Sequence, residues 1–395
     1  MKKSLLAWLY ICLLISSKAL EQETMEIPLQ TVPVKGVPKY KYLLNEDPDI
    51  EKYSDTNFIM KAEGQSFFNV NRLFLAPIKV GSNNQPFTLL LDTGSPLLWV
   101  PKVGSSDSYP TITHHYNPST STTSKNTLSP FSIRYGTGSC SGYYYIDKLT
   151  YVGNQKFSCV FGVADQTALS INSCDGIIGL SKNYQQDSLS FIHNIKTAKI
   201  TNNLAFSLKF NIQNNQIVGK MILGKDADFS KSNTATCPLT TIPNLTNNIF
   251  WACMVTSFGI KTSTAHQTFT LAQAAIFDTG TNNIMLPLSM FSQVVNRLKK
   301  FYCGYMVSGN AYRIVCEITS NLPDFTLNIN GYEYTLPKDI MYFTYQGRAM
   351  ANVLFSNSLP FPIIGSQFFV AFHTLFDHDS NHMTFYPSHG TYKKA

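Results

Sequence analysis

Two tripeptides, Asp92-Thr93-Gly94 and Asp278-Thr279-Gly280, stand in matched settings in this chain. They read LDTGSPLLWVP and FDTGTNNIMLP, each behind an apolar run and each with Pro nine places after the Asp. An Asp in an apolar strand is costly unless its carboxylate is paired or accepts hydrogen bonds. Gly94 and Gly280 leave backbone N–H groups accessible beside the carboxylates, and Thr93, Ser95, Thr279 and Thr281 supply hydroxyl donors. Two carboxylates brought into contact cannot both ionise cheaply, so they share one proton. One is then a base and the other an acid, and a water between them is activated. A single copy reads better as a turn capped by its Asp; the pair does not.

Such a pair needs a scaffold that brings the two loops face to face. Asp92 and Asp278 are 186 residues apart. A second landmark repeats with them: DGIIGLS with Gly179 and PIIGSQ with Gly365, each glycine 87 residues after its Asp. Matched internal spacing predicts two similar lobes from a duplication rather than an array of short repeats. From about residue 65, short runs rich in Val, Ile, Leu, Tyr and Phe alternate with Gly, Asn, Ser and Asp turns, so the expected class is mostly β. VGN at 152–154 and NING at 328–331 mark hairpins. Two helical patterns stand out, DSLSFIHNIKTAKI and SMFSQVVNRLKKFY, with Asp187 and Ser289 as expected N-caps.

The chain has 395 residues, 44% of them hydrophobic, enough for two domains or one bilobal one. Lys and Arg number 31 against 24 Asp and Glu, and the net +7 is scattered without a like-charge block, so no nucleic-acid partner is expected. Residues 1–19 have the layout of a signal peptide: two Lys, an apolar run from Leu5 to Ile15, then small residues up to Ala19. The run is short for a membrane span, and no stable span is expected after its removal. Residues 20–62, Pro- and Lys-rich with little periodicity, read as a pro-segment; 63–233 and 234–395 are the expected lobes. Seven cysteines follow the signal, and an oxidising compartment allows up to three disulfides and one thiol. Cys303–Cys316 and Cys237–Cys253 close short loops and are the expected pairs; Cys140, Cys159 and Cys174 are left open.

On these residues the sequence resembles the pepsin-like aspartic proteases, over nearly all of 65–390. Both catalytic motifs fit in order and spacing. IRYGTGSCSG is similar to the family's flap hairpin, with Tyr135 beside Gly136, Thr137 and Gly138, and Trp99 stands where the family places the Trp that bonds the flap Tyr. The stretch NVNRLFLAPIKVGSNNQPFTLLLDTGS is most similar to apicomplexan plasmepsins. The resemblance implies the bilobal pepsin-like fold, two pseudo-two-fold-related β lobes with a cleft between them. It implies an aspartic endopeptidase in which Asp92 and Asp278 activate the attacking water, and Ser95 and Thr281 orient the carboxylates. Substrate is held extended by Gly280 and the flap around Gly138, with Tyr135, Trp99 and Ile177 as apolar pocket walls. It further implies a monomer, an inhibitory pro-segment in which Lys35, Lys39 or Lys41 blocks the dyad, and secretion or delivery to an acidic vacuole or secretory organelle. No cofactor and no metal is expected.

Departures from the family are specific. No Cys pair follows the first motif, the small Cys loop before the second is missing, and Pro96 within DTGSP is unusual. Ser366 stands where many members have Asp, which alters the dyad, so a strongly acidic optimum is not assumed. GSCSG at 138–142 resembles a nucleophile elbow around Cys140, but a strand follows it where a helix is needed. His378 and His382 sit in DHDSNH, a turn, and no HExxH occurs. The rival readings are a narrow maturase and a binding protein that keeps the fold without catalysis. Asn244-Leu245-Thr246 is a glycosylation sequon in a Pro- and Asn-rich loop.

Overall fold

The computed structural model describes residues 25–33, 72–107, 112–136, 138–150, 156–169, 174–182, 187–213, 216–230, 233–243, 245, 249–308, 311–319, 321–357 and 360–395. The signal, Lys35, Lys39, Lys41, Thr137, the VGN turn, and Asn244 and Thr246 of the sequon lie outside the described residues.

The chain folds as short strands joined by turns, as its alternating apolar runs require, and the architecture is mostly β. One sheet of thirteen strands begins at Ala235–Pro238 and passes through His382–Pro387, Phe372–Asp377, Ala205–Gln213, Gln216–Leu223 and Met25–Pro33. It continues into Arg72–Val80, Gln85–Asp92, Gly176–Gly179 and Trp99–Asp107, and ends at Lys156–Leu169, Gly138–Thr150 and Lys125–Tyr135. A second sheet of eleven strands belongs wholly to the C-terminal half, from Cys303–Ser308 to Thr391–Lys394. Strands from both halves therefore share the first sheet, and its far end and the second sheet form the two lobes.

The Met25–Pro33 strand bridges that shared sheet. Its first half pairs antiparallel with Gly219–Leu223 and its second half with Arg72–Leu75. Ile27 and Leu29 are buried there. In the second lobe Asp324–Ile329 and Tyr332–Leu336 form the hairpin expected from NING. Asn330 and Gly331 both take positive φ, 48° and 76°, the geometry of a two-residue turn that follows the right-handed strand twist.

The helices start later than expected. Phe191–Thr197 is capped by Ser190, whose side chain accepts from the His193 N–H, while Asp187 is taken up in a 3₁₀ turn, Asp187–Leu189. Phe291–Leu298 likewise follows a 3₁₀ turn, Leu288–Met290, which contains Ser289, and no side chain caps it. In both, a preceding 3₁₀ turn uses the polar residue and moves the α-helical start downstream. The two expected disulfides, Cys237–Cys253 and Cys303–Cys316, are present. A third is not found among the described residues: Cys140, Cys159 and Cys174 are buried thiols. Cys159 packs in the main core, apart from Cys140 and Cys174, which share a smaller cluster. Burial pushes Cys140 and Cys174 up to about 12, so neither is a ready nucleophile.

Candidate active site

Asp92 and Asp278 are each delivered by a strand and held by a second one threaded behind it. Gln85–Asp92 becomes buried toward its C-terminal end, where it lies parallel to Gly176–Gly179 with Asp92 opposite Gly179. The Asp92 carbonyl accepts from the Leu180 N–H at 2.8 Å. In the other lobe His266–Phe277 runs parallel to Ile363–Ile364, with Phe277 opposite Ile364. The Asp278 N–H donates to the Ile364 carbonyl at 2.9 Å. The apolar-apolar-glycine repeats thus lie beside the catalytic strands in both lobes.

The two loops then grip each other. The Thr93 N–H donates to Thr279 Oγ1 and the Thr279 N–H donates to Thr93 Oγ1, both at 3.0 Å. Thr93 Oγ1 donates onward to the Phe277 carbonyl and Thr279 Oγ1 to the Leu91 carbonyl, both at 2.8 Å. Both threonines are fully buried. The four bonds obey a two-fold relation, which the matched sequence motifs anticipate.

The same symmetry holds at the carboxylates. Gly94 N–H donates to Asp92 Oδ1 at 2.9 Å, and Gly280 N–H to Asp278 Oδ1 at 2.8 Å. Ser95 Oγ donates to Asp92 Oδ2 at 2.5 Å, and Thr281 Oγ1 to Asp278 Oδ2 at 2.6 Å. A methyl group at Gly94 would come within 2.7 Å of the Asp278 carboxyl, and one at Gly280 within 2.7 Å of Asp92 Oδ1. Only glycine lets each carboxyl lie against the opposite loop. Burial and the neighbouring Asp278 charge hold the Asp92 carboxyl well above the usual carboxylate range, while the bonds from Ser95 and Gly94 pull against them. Two carboxyls this close cannot both ionise cheaply, which is the setting in which a pair shares one proton.

The hairpin Lys125–Tyr135 and Gly138–Thr150 places Tyr135 opposite Gly138 at its end. Trp99 Nε1–H donates to Tyr135 Oη at 2.9 Å. The phenol lies near enough to Ser95 and Asp92 for both to act on its ionisation. Burial pushes the Tyr135 phenol well above its usual range, so it stays neutral. Trp99 and Ile177 are both covered, in a cluster with Leu75, Leu90, Leu97 and Phe131 on which Tyr135 packs. Gly136 lies in the turn between the two strands. Ser366 is fully buried, and its N–H donates to the Thr281 carbonyl at 2.9 Å.

Two buried polar groups beside these strands and loops have no repeat partner in the other half to mark their role. Asp175, just before the Gly176–Gly179 strand, is buried and accepts from the Thr88, Thr113 and His114 N–H groups at 2.9 to 3.0 Å. It also accepts from the Thr113 hydroxyl and contacts the His114 ring. An acid directly ahead of a buried apolar run was the available clue. Arg313 bonds the Asn283 side chain at 3.0 Å from a strand of the other hairpin, which only the fold brings near. Among the described residues no group of His, Cys, Asp and Glu could hold a metal, and no helix is long and apolar enough to cross a membrane.

Comparison with known proteins agrees with this geometry. The family model described as "Eukaryotic aspartyl protease" matches residues 73–387. Gastricsin of Oryctolagus cuniculus is 26% identical over 96% of this chain and 98% of its own length. Cathepsin E of Aquarana catesbeiana is 28% identical over 80% of this chain and 79% of its own. Cathepsin D of Chionodraco hamatus is also 28% identical, over 79% of this chain and 80% of its own.

Proposed function

Because this chain belongs to the eukaryotic aspartyl proteases and is an aspartic endopeptidase, we propose that Asp92 and Asp278 are its catalytic dyad. We propose also that it is made as a zymogen cutting extended polypeptides between apolar residues. The observation that carries this reading is the mutual seating of the carboxyls, Asp278 against Gly94 and Asp92 against Gly280. One proton is shared, and the ionised carboxyl takes a proton from water as its oxygen attacks the peptide carbonyl carbon. The protonated carboxyl gives its proton to the carbonyl oxygen, leaving a tetrahedral diol. The C–N bond then breaks as the amine nitrogen gains a proton from the carboxyl that took it from water, while the other carboxyl takes a proton from a diol hydroxyl, which restores the shared proton. Gly94, Ser95, Gly280 and Thr281 keep the carboxyls oriented throughout.

Substrate adds as a strand between Gly280 and the hairpin backbone at Gly138. Tyr135, partly exposed and backed by the covered side chains of Trp99 and Ile177, favours an apolar side chain next to the cut. Residues 20–62 are the pro-segment of this reading, and the Met25–Pro33 strand, inserted into the shared sheet, is its anchor. The protein acts as a monomer within the secretory pathway or an acidic compartment fed by it. The likeness to plasmepsins rests on residues 69–95 alone.

The test is made on the chain from Leu20 onward, incubated over a pH series, with N-terminal sequencing of the products and a mixed peptide library as substrate. The reading predicts self-cleavage between the Met25–Pro33 and Arg72–Val80 strands, absent in Asp278→Ala, followed by cuts flanked by apolar residues. A folded, processed chain that cuts only one or two library members identifies a narrow maturase instead. One that cuts nothing contradicts the reading.

A further inference from the structure

The two catalytic loops match in their bonds to the carboxyls but differ in what holds them from behind. Five residues after each Asp, the first loop has Leu97 and the second has Asn283. Leu97 is buried in the apolar cluster of Leu90, Trp99 and Ile177. Asn283 instead accepts at Oδ1 from Arg313 Nη1, 3.0 Å away. The same nitrogen donates to the Ala351 carbonyl at 2.8 Å, and the guanidinium lies over the Phe343 ring at 5.6 Å. Arg313 is 5% exposed. Its strand, Ala311–Cys316, is braced by the Cys303–Cys316 disulfide at the end of its hairpin.

Asn283 passes this hold to the chemistry. A Cβ on Gly365 would lie 2.4 Å from the carbonyl oxygens of both Asn283 and Thr281, so the 278–283 loop is closed against the Gly365 turn. The Ser366 N–H locks the Thr281 carbonyl, and the Thr281 hydroxyl orients Asp278. From this chain of contacts we infer that Arg313 is a positioning residue for Asp278, fixing the 278–283 loop through Asn283. It does with a buried charge what Leu97 does by packing in the first loop. The inference deepens the catalytic reading above and rests on it.

A rigid guanidinium fork suits this task, because little freedom is lost per bond formed. It also makes the arrangement intolerant of partial change. Removing one partner strands a buried polar group without its hydrogen bond, whereas removing both together need not. A small displacement of a reacting group lowers the rate by up to about a hundredfold without weakening substrate binding to the same degree.

The test compares Arg313→Met, Arg313→Lys, Asn283→Leu and the double variant Arg313→Met/Asn283→Leu in the processed protein. It reads kcat and KM separately, the thermal midpoint, and the affinity of a statine-type inhibitor. Arg313→Met is expected to lower kcat by about tenfold or more with KM changed less than about twofold. Arg313→Lys recovers part of the loss. Asn283→Leu alone is at least as damaging, and the double variant, which copies the first loop, returns kcat toward wild type. An unchanged kcat in folded Arg313→Met overturns the inference, as does a double variant no better than the worse single one. Should Arg313→Met fail to fold, Asn283→Leu against the double variant decides the same question. If wild-type protein binds the inhibitor without turnover, the protease reading fails, while weaker inhibitor binding by Arg313→Met still upholds the positioning role and equal binding refutes it.

Discussion

The backbone N–H of Thr93 donates to the hydroxyl of Thr279, and the N–H of Thr279 donates to the hydroxyl of Thr93, both at 3.0 Å and both out of water. This exchange joins the halves of the chain at the point where their carboxyls meet. Thr279→Val keeps the shape but leaves the Thr93 N–H and the Leu91 carbonyl without their partners. Each buried group so stranded costs about 1–3 kcal/mol. A loss of roughly 2–5 kcal/mol in urea unfolding is expected, together with a kcat reduced by more than tenfold through mispositioning. A variant with wild-type kcat would show that the grip does not align the dyad.

The short bond from Ser95 to Asp92 stabilises the ionised carboxyl and opposes the effects of burial and of Asp278. Ser95→Ala removes that opposition, so the Asp92 carboxyl rises further. The proton is then retained to higher pH, and the basic limb of the kcat profile moves upward. The maximum falls by about tenfold because one orienting donor is lost. A pH-rate profile checks the direction; a basic limb that moves down contradicts it.

Trp99 and Tyr135 act as one unit if the bond between them holds the hairpin over Asp92. Tyr135→Phe and Trp99→Phe are each expected to cut kcat/KM, and the double variant to lose little more than the worse single one. A double-mutant cycle gives a coupling of about 0.5–3 kcal/mol for groups in contact. Strict additivity of the two losses would mean the bond plays no part in the reaction.

A pH-dependent weakness lies at the junction between the halves. The His378 ring packs against Trp251 at 4.7 Å and faces His193 at 5.9 Å. Burial, then His193 and Lys182, push it down to about 3, with Asp379 and Asp377 opposing. An unfolded histidine titrates near about 6.5, so between the two values the unfolded chain binds the extra proton. The stability due to this group is complete above about pH 6.5 and is lost as pH falls toward the folded value. The loss is on the order of 5 kcal/mol when complete. His378→Phe is expected to flatten the acid side of the stability curve, measured as urea midpoints across a pH series. An unchanged acid slope would remove His378 as its cause.

How much of this was readable in the sequence follows the range of each interaction. The catalytic strands, the turns behind them and the NING hairpin are local patterns, and they stand where apolar runs and glycines put them. Asp92, Asp278 and their glycine and hydroxyl neighbours were readable because the sequence carries them twice at matched spacing. The Ser190 cap was missed because an unforeseen 3₁₀ turn took up Asp187. The Asp175 network and the Arg313–Asn283 bond were missed for a different reason. Their partners are distant in sequence and have no counterpart in the other copy: Phe361 stands where Asp175 would repeat, and Leu97 where Asn283 would.

The most direct test of the shared dyad is turnover by the processed protein in three forms, Asp92→Asn, Asp278→Asn and the double variant, each with its fold verified by thermal unfolding. The account predicts that either single variant is as inactive as the double, because two carboxyls sharing one proton act as a unit. Substantial cleavage by either single variant would contradict it.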